Sequence, residues 1–90
     1  MYSHEGKILT FMTTVAGERP IDVSWFKEST PIYPTSRHWL YRKGSAFFLT
    51  MFDVGLGDAG NYSAVAFNSS GEIWHQFQLH VSFLRIASLS

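Results

Sequence analysis

Apolar and polar residues alternate with a period of two along most of the chain. In KILTFMTTV (7–15), Leu9, Phe11, Thr13 and Val15 share one side. In IDVSWFK (21–27), Ile21, Val23 and Trp25 do so, with Asp22, Ser24 and Phe26 opposite. AFFLTMF (46–52) sets Phe47, Leu49 and Met51 against Phe48, Thr50 and Phe52. NYSAVAF (61–67) sets Tyr62, Ala64 and Ala66 against Asn61, Ser63 and Val65, and IWHQFQLHV (73–81) sets Phe77, Leu79 and Val81 against Gln76, Gln78 and His80. Successive side chains of an extended backbone point to opposite faces, so each segment predicts a half-buried strand. HWLYRK (38–43) is a weaker strand that turns Leu40 inward, and PIY (31–33) is a short edge piece. No stretch carries a sustained helical period. Glycine and proline punctuate the intervals, and NSSG (68–71) predicts a hairpin turn with Asn68 and Gly71 suited to positive φ. Short alternating strands separated by turns predict an all-β, two-sheet sandwich.

Composition supports that architecture and excludes several functions. The 90 residues make one domain, and 46% hydrophobic with 17% aromatic content supplies a core that a disordered chain lacks. Seven basic and seven acidic side chains cancel without forming a run of either sign. Neither the footprint of a nucleic-acid binder nor a polybasic membrane patch is present. No apolar run approaches the roughly 18 residues of a spanning helix. The opening MYSHEGK lacks a basic segment followed by an apolar one, so no secretory signal is expected. With no cysteine there is no disulfide, no thiolate nucleophile and no Cys-based zinc site. That absence favours a reducing, cytoplasmic compartment, and it equally fits deliberate removal in an engineered chain. The alternation ends near Val81, giving a folded domain over 1–82 and a frayed or extended tail over 83–90.

Candidate chemistry is sparse. Ser63, Ser69 and Ser70 lack a histidine and acid in a catalytic arrangement, and Asp53 and Asp58 fall in a turn-like corner with no cleft implied. His4, His38, His75 and His80 have no tight ligand spacing beside a carboxylate and read as surface imidazoles. His75 and His80, five apart on one strand, point to opposite faces. No catalytic residue, cofactor or metal is expected. Asn61 and Asn68 each begin an N-x-S glycosylation pattern, which matters only on a secretory route. Arg85 three residues before Ser88 is a weak basophilic-kinase pattern. The outward aromatics Phe26, Trp39, Tyr41, Phe48, Phe52 and Trp74 are more informative, because outer faces of a sandwich are ordinarily polar. They predict a protein-binding patch with Phe26, Phe48 and Trp74 as contacts, or else side chains covered by loops or tail. Open sheet edges offer a partner a second mode, strand addition, and phenylalanine-rich edges leave a homodimer open.

The run from Asp58 adds a specific resemblance. Asp58, Gly60 and Tyr62 match D-x-G-x-Y-x-C, with Ala64 in place of the cysteine, and Ala66, Asn68, Gly71 and Glu72 continue the pattern. With Trp25 in VSWFK and EGKILTF upstream, the chain resembles the I-set of the immunoglobulin superfamily, in particular modules of titin-like, obscurin-like or myomesin-like muscle chains. The resemblance implies a Greek-key sandwich around Trp25 and Leu49, with Thr13 and Ala64 at the two cysteine positions. It implies pairing of Arg37 with Asp58, and a Tyr62 hydroxyl bonded to upstream backbone. A buried Thr13 hydroxyl needs a partner, most simply a backbone carbonyl. The implied function is a non-catalytic structural and protein-interaction module of a sarcomeric or cytoskeletal chain, in series with neighbouring immunoglobulin domains. An extracellular adhesion or receptor domain, or a designed protein without a physiological partner, stands as the alternative.

Overall fold

A computed structural model describes residues 1–82, so the predicted tail lies outside the described residues. Its strands are β1 (Tyr2–His4), β2 (Leu9–Thr14), β3 (Asp22–Lys27), β4 (Thr30–Pro31), β5 (His38–Lys43), β6 (Ala46–Met51), β7 (Gly60–Asn68) and β8 (Gly71–Ser82). A single 3₁₀ turn, Leu56–Asp58, precedes β7. The strands form two sheets, one of order β1-β8-β7-β3-β4 and one of order β2-β6-β5. β1 was not among the predicted strands. It pairs in parallel with the end of β8, Tyr2 opposite His80 and His4 opposite Ser82. Its three residues have no apolar alternation, because main-chain bonding rather than burial places them.

The inward parity read from each segment is the one the sheets use. Phe11, Leu49, Met51, Val54, Tyr62 and Leu79 are almost wholly buried, with Trp25 beside them. Leu40, Ile32 and Phe77 pack on this cluster from its margins. Phe11 sits 5.1 Å from the Tyr62 ring and 4.9 Å from Phe77, so aromatic contacts knit the two sheets. Cross-strand rows fix the register: Trp25, Ala64 and His75 lie in one row, and Val23, Ala66 and Ile73 in the next. A one-residue slip would expose the whole set, which is why the register is unambiguous.

Two turn residues show what the backbone demands. Gly60 opens β7 at φ 142°, and a Cβ there would lie 2.9 Å from Glu28 Oε1. Only glycine combines that torsion with that approach. In the β7–β8 hairpin Gly71 takes φ 145°, but Asn68 does not adopt positive φ. Its amide works as a clasp instead, Nδ2 donating to the Glu18 carbonyl at 3.0 Å and Oδ1 accepting from Ser70 N–H at 2.8 Å.

Candidate interaction surfaces

The positions where a disulfide would sit are filled in an unexpected way. Thr13 on β2 and Ala64 on β7 are both buried. The Thr13 hydroxyl is bonded to His75 Nδ1 at 3.0 Å, not to a backbone carbonyl. Ala64 is the reason. With only a methyl group at that position, its neighbour in the row, His75, has room to turn across the sandwich. His75 also lies 4.6 Å from the Phe77 ring, so this exposed imidazole is a surface group, as its sequence position suggested, but one tied to the fold by a ring contact and a hydrogen bond. Sequence reasoning missed it because the hydroxyl and the imidazole are 62 residues apart.

The corner before β7 is a closed polar cluster. Arg37 Nη2 donates to Asp58 Oδ2 at 2.5 Å and to the Asp53 carbonyl at 3.1 Å, while its Nε donates to the Phe52 carbonyl at 3.2 Å. The same Asp58 oxygen accepts from Gly55 N–H at 2.8 Å. Tyr62 donates its hydroxyl to the Asp58 carbonyl at 2.5 Å. Burial, and then the Asp58 charge, push the Tyr62 hydroxyl up to about 12. Nearby His38, bonded to the Thr35 hydroxyl at 2.9 Å, is held below 6.5 by burial and then by Arg37. Every group here is committed to a bond within the fold, and no nucleophile–base pair is formed. Among the described residues no cluster of histidine and carboxylates is arranged to hold a metal, and no helix is long and apolar enough to cross a membrane.

The outward aromatics divide between two faces. Phe26 and Trp74 stack at 6.1 Å on the outside of the five-stranded sheet. They lie above β7, whose outward Ser63 and Val65 are consequently buried. Phe48 belongs to the other sheet, stacked on Tyr41 at 4.8 Å. The three expected contacts therefore do not form one patch. Phe48 is instead the centre of a larger apolar face. Met12 and Tyr41 flank it across the sheet, Thr10, Thr50 and Trp39 form the next row, and Phe52 meets the Trp39 ring edge-on at 4.8 Å. Trp39 is 58% exposed, Met12 51% and Tyr41 47%. Thr10 and Thr50 hydroxyls bond to each other at 2.8 Å beneath the rings, so the polar atoms of this face are turned into it. Met12 was legible only as the residue opposite Phe11 in parity, with no aromatic signal of its own.

A separate groove of about 570 Å³ runs between β2 and the first half of β8, lined by Thr13, Val15, Ile21, Ala64, Ala66 and Ile73 among others. Both strands that border it present open edges there, since β2 ends its sheet and β1 covers only the far end of β8. Of the glycosylation candidates, Asn61 is exposed on β7, whereas the Asn68 amide is engaged as described.

These features define an immunoglobulin-like β-sandwich with a tyrosine corner and no cysteine. The family profile of the immunoglobulin I-set domain matches residues 1–81, and the chain belongs to that family. It is similar to smooth-muscle myosin light chain kinase of Gallus gallus, 37% identical over 68 residues that make up 76% of this chain. It is also similar to titin of Drosophila melanogaster, 33% identical over 67 residues, or 74% of this chain. The match spans only 4% of the kinase, and a share of the titin that rounds to 0%. Among solved structures, a titin I-band fragment, I67–I69, superposes with a TM-score of 0.88 at 23% identity, covering 92% of this chain and 29% of that one. At that identity the superposition speaks to fold alone.

Proposed function

We propose that this domain is a non-catalytic structural and protein-interaction module of a multi-immunoglobulin muscle protein of the cytoskeleton or sarcomere. The observation that carries the reading is the apolar patch on the outer face of the three-stranded sheet, where Met12, Trp39 and Tyr41 stand exposed around Phe48 and Lys43 lies in the neighbouring row. Contiguous apolar area of this kind marks a contact surface, and exposed Trp and Tyr are the side chains that most often anchor one. The stacked Phe26–Trp74 pair is a smaller second contact. Similarity to multi-domain muscle proteins supports the setting. The reading is tested with the immobilised domain in striated-muscle lysate, beside a Trp39→Lys, Tyr41→Lys variant whose circular dichroism matches the parent. A sarcomeric protein retained by the parent and lost by the variant is the expected result. Retention by both, or by neither, overturns the assignment to this face.

A further inference from the structure

Charge is spread unevenly over a chain whose formal net charge is zero. No Asp or Glu occurs between Glu28 and Asp53, and that stretch carries Arg37, Arg42 and Lys43. It builds β5 and β6, and β2, the third strand of their sheet, has no charged residue. Carboxylates gather elsewhere. Asp22 and Glu72 flank Phe67 on the five-stranded sheet, and Asp58 is taken up by Arg37 in the one salt bridge among the described residues. Arg42 and Lys43 are exposed, and neither has a carboxylate within salt-bridge reach among those residues.

These two cations stand at one end of the aromatic face. Trp39, Tyr41 and Lys43 share the outward side of the edge strand β5. Lys43 therefore lies about 7 Å beyond Tyr41 along the strand. Arg42, of opposite parity, holds its guanidinium 5.2 Å from the Phe47 ring centre, with Nη1 donating to the Ile21 carbonyl at 3.4 Å. It is held at the margin of the sheet before any partner arrives. The rings are held as well: Tyr41 lies on Phe48 with planes 11° apart, and Phe52 braces Trp39 edge-on. The result is a preorganised aromatic surface with positive charge, and no negative charge, at its β5–β6 hairpin end.

We infer that this face receives a short protein segment in which aromatic or proline residues adjoin two or more carboxylates. Its rings lie on Trp39 and Tyr41, and its carboxylates meet Lys43 and Arg42. The inference rests on the interaction-module reading and names the chemistry of the partner. Charge complementarity selects this occupant. A segment without carboxylates would cover the rings and leave both cations unanswered at the rim. The same three strands of a second copy contain no carboxylate to meet them. Two cations also fall short of the roughly four to eight in a polybasic lipid site, and of the basic stripe that holds nucleic acid. Rim charges govern encounter and orientation, whereas aromatic side chains anchor the complex.

The test is selection of a phage-displayed library of random dodecapeptides on the immobilised domain, beside an Arg42→Gln, Lys43→Gln variant whose circular dichroism matches the parent. Peptides retained by the parent should be enriched about threefold or more in Asp and Glu over the starting library, next to Trp, Tyr, Phe or Pro. The variant should keep the aromatic and proline enrichment and lose the acidic one. Lys43→Gln alone, at an exposed strand end, should lose about half of it, and decides the matter where loss of Arg42 disturbs folding. Trp39→Ser with Tyr41→Ser should retain no peptide. Enrichment without acidic residues overturns the inference and leaves the interaction-module reading standing. Retention of no peptide by the parent, or equal retention once the two rings are gone, also overturns it, while the lysate experiment decides the broader reading by itself. Tighter binding to phosphatidylserine–phosphatidylcholine vesicles or to a single-stranded oligonucleotide overturns it as well, as does self-association through this face on concentration.

Discussion

Thr13, Ala64 and His75 replace a covalent inter-sheet link by a hydrogen bond across the groove. Because Thr13 and Ala64 both line that groove, Thr13→Cys with Ala64→Cys should form a disulfide on oxidation. Closing a loop of roughly fifty residues should raise stability by about 3–4 kcal/mol, read as a higher denaturation midpoint than the reduced form. An unchanged midpoint would show that the two positions do not face one another. Gly60 gives a second residue-scale outcome. Gly60→Ala combines a torsion hostile to side chains with a Cβ pressed on Glu28, and should cost about 1–3 kcal/mol in urea unfolding. The third concerns Tyr62, whose hydroxyl ionises near 10 in the unfolded chain and at about 12 in the fold. A pKa raised by folding contributes stability that is complete below the lower value and disappears as pH rises through the upper one. Unfolding free energy should therefore fall across pH 10–12, and this part of the fall should vanish in Tyr62→Phe, followed by denaturant titration at each pH.

At the scale of elements, burial is what made strands legible. β2, β3, β6 and β7 alternate because one face of each meets the core, and Phe11, Trp25, Leu49 and Tyr62 could be assigned inward from parity alone. Leu49→Ala should cost about 2–5 kcal/mol as a cavity in that core, with little change in the urea slope. β1 was illegible because it is held by backbone bonds, on which side-chain pattern carries no information. The interaction surfaces were legible in part. Parity placed Trp39, Tyr41 and Phe48 outward, but which aromatics share a face depends on which strands share a sheet, so Phe26 and Trp74 were grouped with Phe48 across the sandwich. The β2–β8 groove was out of reach altogether, since an open edge is a property of strand order. The His75–Thr13 bond was hidden for a similar reason, because only the fold shows that Ala64 leaves the space.

On the scale of the whole molecule, the parallel β1–β8 pair sets how the domain responds to tension along the chain. β1 begins beside Gln78 and β8 leaves beside His4. Tension applied at residues 1 and 82 therefore pulls these two strands past each other along their length. The bonds Met1 N to Gln78, His80 N to Met1 and Glu5 N to Ser82 are then loaded together in shear rather than unzipped in turn. Glu5→Pro, which deletes the last of them, should lower the rupture force in single-molecule pulling from these ends proportionately more than it lowers equilibrium stability. With force transmitted through so short a clamp, a few main-chain bonds at the rim would act as the latch for a core they barely touch.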